Sequence, residues 1–148
     1  VSKDSEVSLQ AYYDGYHRDI PDVFLEERDT GDVQAQHRFH WGWLDSTITY
    51  GAGYPWSKDD TGGPPRALIF DPASRTLETS NAFVQGQRRL FDNGELTVGT
   101  KLEHNESAGY EWQPGIRLGW ALGEHVFTWG AVSRAVRTMS PADLSIIA

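Results

Sequence analysis

The stretch YEWQPGIRLGW (110–120) decides how the rest of the chain is read. Tyr110, Trp112, Ile116, Leu118 and Trp120 share one face of an extended chain, together with Pro114, while Glu111, Gln113, Gly115, Arg117 and Gly119 share the other. A period of two is the signature of a strand with one apolar side. Trp112 and Trp120 stand eight residues apart. At about 3.3 Å per residue and a tilt of about 40°, that is roughly 20 Å along a bilayer normal, near the ~25 Å apolar band that aromatic girdles flank in transmembrane barrels. The same spacing suits aromatics filling the core of a soluble barrel or sandwich, so spacing alone leaves both open.

The neighbouring segments repeat the pattern. ELTVGTKLEH (95–104) sets Leu96, Val98, Thr100 and Leu102 against Glu95, Thr97, Gly99, Lys101 and Glu103. A compact turn, FDNG (91–94) with Asn93-Gly94 at its tip, joins it to a strand over 76–90. On the other side, the short turn LGE (122–124) leads into HVFTWGAVSRA (125–135), whose two faces the pattern does not separate. Nearer the N-terminus, VSLQAYY (7–13) and DVQAQHRFHW (32–41) alternate, as does the segment from Leu44 to Tyr54 after a tight turn at 42–45. The charged stretch 19–31 and the stretch 55–75, which carries four of the seven prolines, read as long loops, because proline cannot donate to a sheet ladder. Connections then run long, short, long, short, medium, short. Strands of roughly ten residues in an up-and-down order, with short turns at one end, fit a transmembrane barrel better than a sandwich.

Composition narrows the function classes. With 148 residues the chain has room for one domain. Aromatics make up 12% and glycine occurs 15 times, a balance that favours strands. The net charge of -8, without any block of Lys or Arg, removes the basic stripe that nucleic acid requires. There is no cysteine, hence no disulfide and no thiolate metal site. No run of 18 apolar residues offers a transmembrane helix, a criterion blind to barrel strands. VSKDSEVSLQ (1–10) lacks the apolar core of a signal peptide, as expected of a chain that has been processed or cut from a longer one.

Several of these stretches resemble the barrel of TonB-dependent outer-membrane receptors. LQAYYDGYHRD (9–19), EERDTGDVQAQHRFHWG (26–42) and FVQGQRRLFDNGELTVGTKLEHNESAGYEWQPGIRLGW (83–120) are similar to strands in the middle of such barrels. Gln113-Pro114-Gly115 with Arg117 and Trp120, followed by Ser133-Arg134-Ala135-Val136-Arg137-Thr138-Met139-Ser140, resembles a strand pair of that family. The resemblance covers nearly the whole chain. It implies a parent barrel of about 22 strands with a plugged lumen, importing a scarce nutrient with energy relayed by TonB. Seven strands are too few, and too odd in number, for a single-chain bacterial barrel, so the chain reads as a segment without plug domain or TonB box.

Motifs that could carry chemistry read as turns or surface. Asp-Thr-Gly occurs at 29–31 and 60–62. In aspartic proteases such triplets follow an apolar strand that buries the dyad, whereas here Glu27-Arg28 and Lys58-Asp59 precede them, so turns are expected. His37 and His40, an odd offset apart on a strand, point to opposite faces and cannot share a metal; His17, His104 and His125 stand alone. The acidic set Glu26, Glu27, Asp29 and Asp32 offers oxygen ligands for Ca²⁺, with a solvated loop as its plainer reading. Asn105-Glu106-Ser107 fits a glycosylation sequon that a bacterial chain would carry as a polar loop. No phosphate-cradling glycine loop or nucleophile elbow occurs.

The expectation is therefore an all-β, antiparallel up-and-down meander of about seven long strands, one unit over 1–148, forming a segment of a large transmembrane β-barrel in the bacterial outer membrane. It is not expected to be an enzyme, to bind a cofactor or metal, or to bind nucleic acid. Its expected partners are outer-membrane lipid, the TonB complex through the plug region of the parent, and a small-molecule nutrient such as a siderophore or metal chelate, met by loops 19–31 and 55–75. The isolated segment should self-associate. Two alternatives stay open: a soluble lipocalin-like barrel holding a small apolar ligand, and a small stand-alone outer-membrane barrel.

Overall fold

The computed structural model describes residues 5–21, 24–62, 74–106 and 109–136. Seven strands form one sheet in sequential order: β1 (Ser5–Ile20), β2 (Phe24–Trp41), β3 (Ser46–Gly62), β4 (Ser74–Leu90), β5 (Gly94–Asn105), β6 (Gly109–Ala121) and β7 (Phe127–Ser133). Every neighbouring pair is antiparallel. The meander of seven strands is the expected fold class. β7, which the sequence pattern could not phase, is fixed by its ladder: Gly119 faces Trp129 and Ile116 faces Val132.

Three local expectations are corrected. The first concerns the stretch 19–31. β1 runs to Ile20 and β2 starts at Phe24, so a three-residue connection at 21–23 replaces the long loop. Its charges pair across the ladder instead of marking a loop, with Tyr16 opposite Arg28 and Asp29 opposite Lys58. Polarity misled because a strand projecting beyond an apolar band is wetted on both faces. The second concerns Pro55, which lies inside β3 opposite Asp32 of β2. The β3–β4 ladder is interrupted at residues 54–55 and resumes at Trp56 in the same register. The missing donor is thus accommodated by a local gap without a bulge. The remainder of that expected loop, 63–73, lies outside the described residues, as do positions 137–140 of the strand-pair resemblance.

The third correction is the turn after β4. Its left-handed residue is Phe91 (φ 56°) and not the expected Asn93-Gly94 tip. Left-handed backbone is costly for a bulky side chain, and the Phe91 ring rests 6.1 Å from that of Trp120. Asn93 clips this turn to the end of β6: its carbonyl accepts from Ala121 N at 2.7 Å and its Nδ2 donates to Ala121 O at 3.0 Å. The other proline within the sheet, Pro114 in β6, turns its carbonyl toward the end of β7, where Arg134 N donates to it at 3.0 Å.

There is no buried apolar core among the described residues. β1 and β7 each keep one unpaired edge, and with an odd number of strands they run in the same direction. The sheet cannot close on itself through an antiparallel pair. Open edges template further pairing, so the isolated chain is expected to self-associate in detergent-free buffer at micromolar concentration. Light scattering checks this, and a sharp monomer peak would favour the lipocalin-like alternative.

Candidate functional site

Cross-strand partners in an antiparallel ladder point to the same side, so the registers assign each strand residue to one of two faces. One face carries Val7, Leu9 and Tyr13 (β1), Val33, Phe39 and Trp41 (β2), Ile48, Tyr50, Tyr54 and Trp56 (β3), and Ala82, Val84 and Leu90 (β4). It continues with Leu96, Val98 and Leu102 (β5), Trp112, Ile116, Leu118 and Trp120 (β6), and Val132 (β7). The opposite face carries glutamines, threonines, arginines and carboxylates. Of its strand residues, Tyr12, Tyr16, Phe127 and Trp129 are the exposed large apolar ones.

Curvature gives the two faces a sense. The surface hollows are lined by Gln85, Gln87, Thr97, Gln113 and Arg117, by Gln10, Gln34, Gln36 and Asn81, and by Arg38, Thr47, Arg89 and Glu95. Most of the lining belongs to the polar face, with interleaved strand neighbours such as Val84, Ile116 and Ala52 from the other, so the polar face is the concave one and the apolar face convex. A soluble barrel has the reverse arrangement, apolar within and polar without.

The apolar band is bounded by aromatics at both ends. Toward the turns 42–45 and 91–93 lie Trp41, Trp43, Phe91 and Trp120, with Trp41 and Trp43 6.1 Å apart. Trp43 and Phe91 sit at the turns, 82% and 84% exposed, so nothing within the sheet covers them. Toward the other end lie Tyr13, Tyr54, Trp56, Tyr110 and Trp112, with Tyr13 6.3 Å from Trp56. Followed through the registers, the lower girdle descends two residues from Trp41 on β2 to Trp120 on β6, and the upper descends four from Trp56 on β3 to Trp112 on β6. That averages about one residue per strand. With a ~3.3 Å rise and ~4.8 Å strand spacing, it corresponds to a tilt of roughly 35°, within the range of membrane barrels.

Glycines seat two of the girdle rings. A Cβ on Gly31 would lie 2.5 Å from the Trp56 ring, and one on Gly94 would lie 2.7 Å from the Trp120 ring. Each tryptophan therefore lies flat over the glycine paired with it. His37 is a polar ring on this face, and it is satisfied: its ring nitrogens meet Ser5 Oγ at 2.7 Å and Tyr50 Oη at 3.1 Å. Phe39 stacks on the same ring at 5.3 Å. Internal pairing of this kind is what an apolar solvent demands of a polar group.

On the concave wall, Arg28 is held between Glu26, at 3.3 Å, and Asp59, which its Nε contacts. Asp59 is 6% exposed and its Oδ2 has no protein partner. Lys101 pairs with Glu103 at 2.7 Å, and Arg134 with Glu111 at 3.1 Å. Tyr12 and Tyr16 flank this region, opposite Asp32 and Arg28. The upper wall thus offers aromatic rings beside a network of paired charges.

The motifs singled out in the sequence separate as follows. Both Asp-Thr-Gly triplets lie in strands, not turns. Asp29 accepts from Tyr13 Oη at 2.7 Å, and Asp60 pairs with Lys58 at 2.8 Å. Above the girdle, the Lys58 ammonium and then the Ser74 hydroxyl hold the Asp60 carboxyl below its ordinary range. The two aspartates are thus engaged by different partners, Tyr13 and Lys58. The acidic set is split, with Glu27 and Asp29 on the convex side and Glu26 and Asp32 on the concave side. No group of three or more His, Cys, Asp or Glu among the described residues could hold a metal ion. His37 and His40 lie on opposite faces. Asn105 is buried and its Nδ2 donates to Thr79 Oγ1 at 3.1 Å, which makes it a ladder-end residue.

A twisted antiparallel meander, apolar outside and polar within its curve, defines a segment of the wall of a large β-barrel. Among solved structures, the chain is similar to the siderophore receptor PirA from Pseudomonas aeruginosa, with a TM-score of 0.70 and 14% identity. The match covers 92% of this chain and 28% of that one. At such identity the likeness concerns the fold. No family model and no curated protein matches the sequence.

Proposed function

We propose that the chain forms part of the barrel wall of a TonB-dependent receptor in a bacterial outer membrane, which imports a small-molecule nutrient such as a siderophore or another metal chelate. The observation that carries this is the inverted arrangement of the faces: the apolar side is convex and girdled, the polar side concave, and no apolar core lies between. Water on the convex side would solvate a contiguous apolar surface far larger than the few hundred Å² that soluble monomers expose. Lipid removes that cost. A lipocalin-like barrel requires an apolar concave side. A small stand-alone barrel requires an even strand number and closure, which the seven strands of the described residues, with β1 and β7 running in the same direction, do not provide.

In this reading the strand extensions of β1–β4 project beyond the lipid at the end opposite the turns 42–45 and 91–93. The concave rim near Tyr12, Tyr16 and Arg28 is where nutrient passes, and energy arrives through the plug region of the parent and the TonB complex. The absence of native cysteine makes the membrane arrangement directly testable. Spin labels on Val98→Cys and Ile116→Cys, in the protein reconstituted in vesicles, should favour collision with oxygen over a water-soluble nickel chelate. Labels on Thr97→Cys and Gln113→Cys should show the opposite preference. Loss of this alternation, or its reversal, would sink the membrane reading and restore the soluble-barrel alternative.

A further inference from the structure

Between the level of Trp41 and the Trp56–Glu78 pair at the upper girdle, where Glu78 hydrogen-bonds Tyr54, the convex face of the strands carries one ionised side chain among the described residues, Arg88 of β4. Its ladder partners Ser46 and Leu96 place it on that face, while Gln87 and Arg89 on either side turn into the concave wall. Arg88 is exposed. None of the ion pairs or hydrogen bonds among the described residues engages it. The opposing Ser46 hydroxyl is already committed to Leu44 O at 2.8 Å.

Its height follows from the girdle. The lower aromatic line descends from Trp41 on β2 to Trp120 on β6 and crosses β4 between Arg88 and Leu90, about one residue below Arg88. One residue of tilted strand is roughly 3 Å along the normal, well within the reach of an arginine stem that lies along apolar surface with its charged head in the interface. A guanidinium left in hydrocarbon would be costly, and one at the interface meets phosphate oxygens in the planar, two-pronged geometry it fits best. Trp41, Trp43, Phe91 and Trp120, along the same border, keep the flanking surface at headgroup depth.

We infer that Arg88 is the centre of a site for the phosphate of an anionic phospholipid in the leaflet at the end of the turns 42–45 and 91–93. This rests on the membrane reading proposed above. A fluorescent label on Ile48→Cys, on the same face one strand away, reports the lipid occupying this patch. In vesicles, its quenching by brominated phosphatidylglycerol is compared with quenching by brominated phosphatidylcholine. An interfacial arginine is expected to favour the anionic lipid roughly five-fold at low salt. Arg88→Gln should abolish that preference, and Arg88→Lys should retain much of it without the two-pronged contact. A preference unchanged in Arg88→Gln overturns the proposal while leaving the membrane reading intact. Absence of quenching by either brominated lipid would instead show that the face does not meet acyl chains, and both would fall.

Discussion

Replacing Ile116 with arginine should destabilise the membrane-embedded protein by about 2–4 kcal/mol, the cost of a lipid-facing charge near the bilayer midplane. Ile116 stands midway between Trp112 and Trp120 on the convex face, between Val98 and Val132. Gln113→Arg, three residues away on the concave side, should cost well under about 1 kcal/mol because a wet lumen accommodates charge. Leu118→Arg should fall between them, since Leu118 is two residues nearer the lower girdle. Urea unfolding in lipid vesicles, followed by tryptophan fluorescence, measures all three. Gly119 is a poor concave-side control, because a Cβ there would meet the Phe127 ring at 2.7 Å. Equal losses at 113 and 116 would mean that the alternation reports no membrane face.

Gly51→Ala is expected to cost about 1–3 kcal/mol, the range for overpacking a close contact. A Cβ at Gly51 would lie 2.5 Å from the carbonyl oxygen of Ala35 and 2.8 Å from the Phe83 ring. The ring can swing aside, but the carbonyl belongs to β2 and yields only if β2 and β3 part. Gly130→Ala is the control: nothing lies within 4 Å of its Cβ position. Alanine there removes the entropic cost of glycine in a strand, a gain of roughly 0.5–1 kcal/mol. The same unfolding measurement applies, and tolerance at 51 equal to that at 130 would show that the two backbones do not approach this closely.

The paired girdle rings explain which parts of the candidate site could be read early. Trp112 and Trp120 announced a band through their even offset along one strand, and no partner was needed to see it. That Trp56 covers Gly31, or that Trp120 covers Gly94, depends on which residue lies opposite, which only the ladder supplies. The same applies to His37. A histidine on an apolar face looks like an error in the alternation until Ser5 and Tyr50 take its two nitrogens. Arg88 passed unnoticed for the same reason, since the face of β4 is fixed by Ser46 and Leu96.

Alternation along β5 and β6 determined the strand type and the two-faced sheet, because side-chain direction in an extended chain follows from residue parity alone. Tertiary structure decided where strands end, how they pair and which face curves inward. Charged residues at 24–31 and 57–62 signal water, and water is compatible with a loop or with a projecting strand. Only the pairing of Arg28 with Asp59 and of Lys58 opposite Asp29 distinguishes the two. Curvature is likewise absent from any single strand. It arises from the twist accumulated across seven paired strands, and it turned an apolar face of unknown sense into an outer surface.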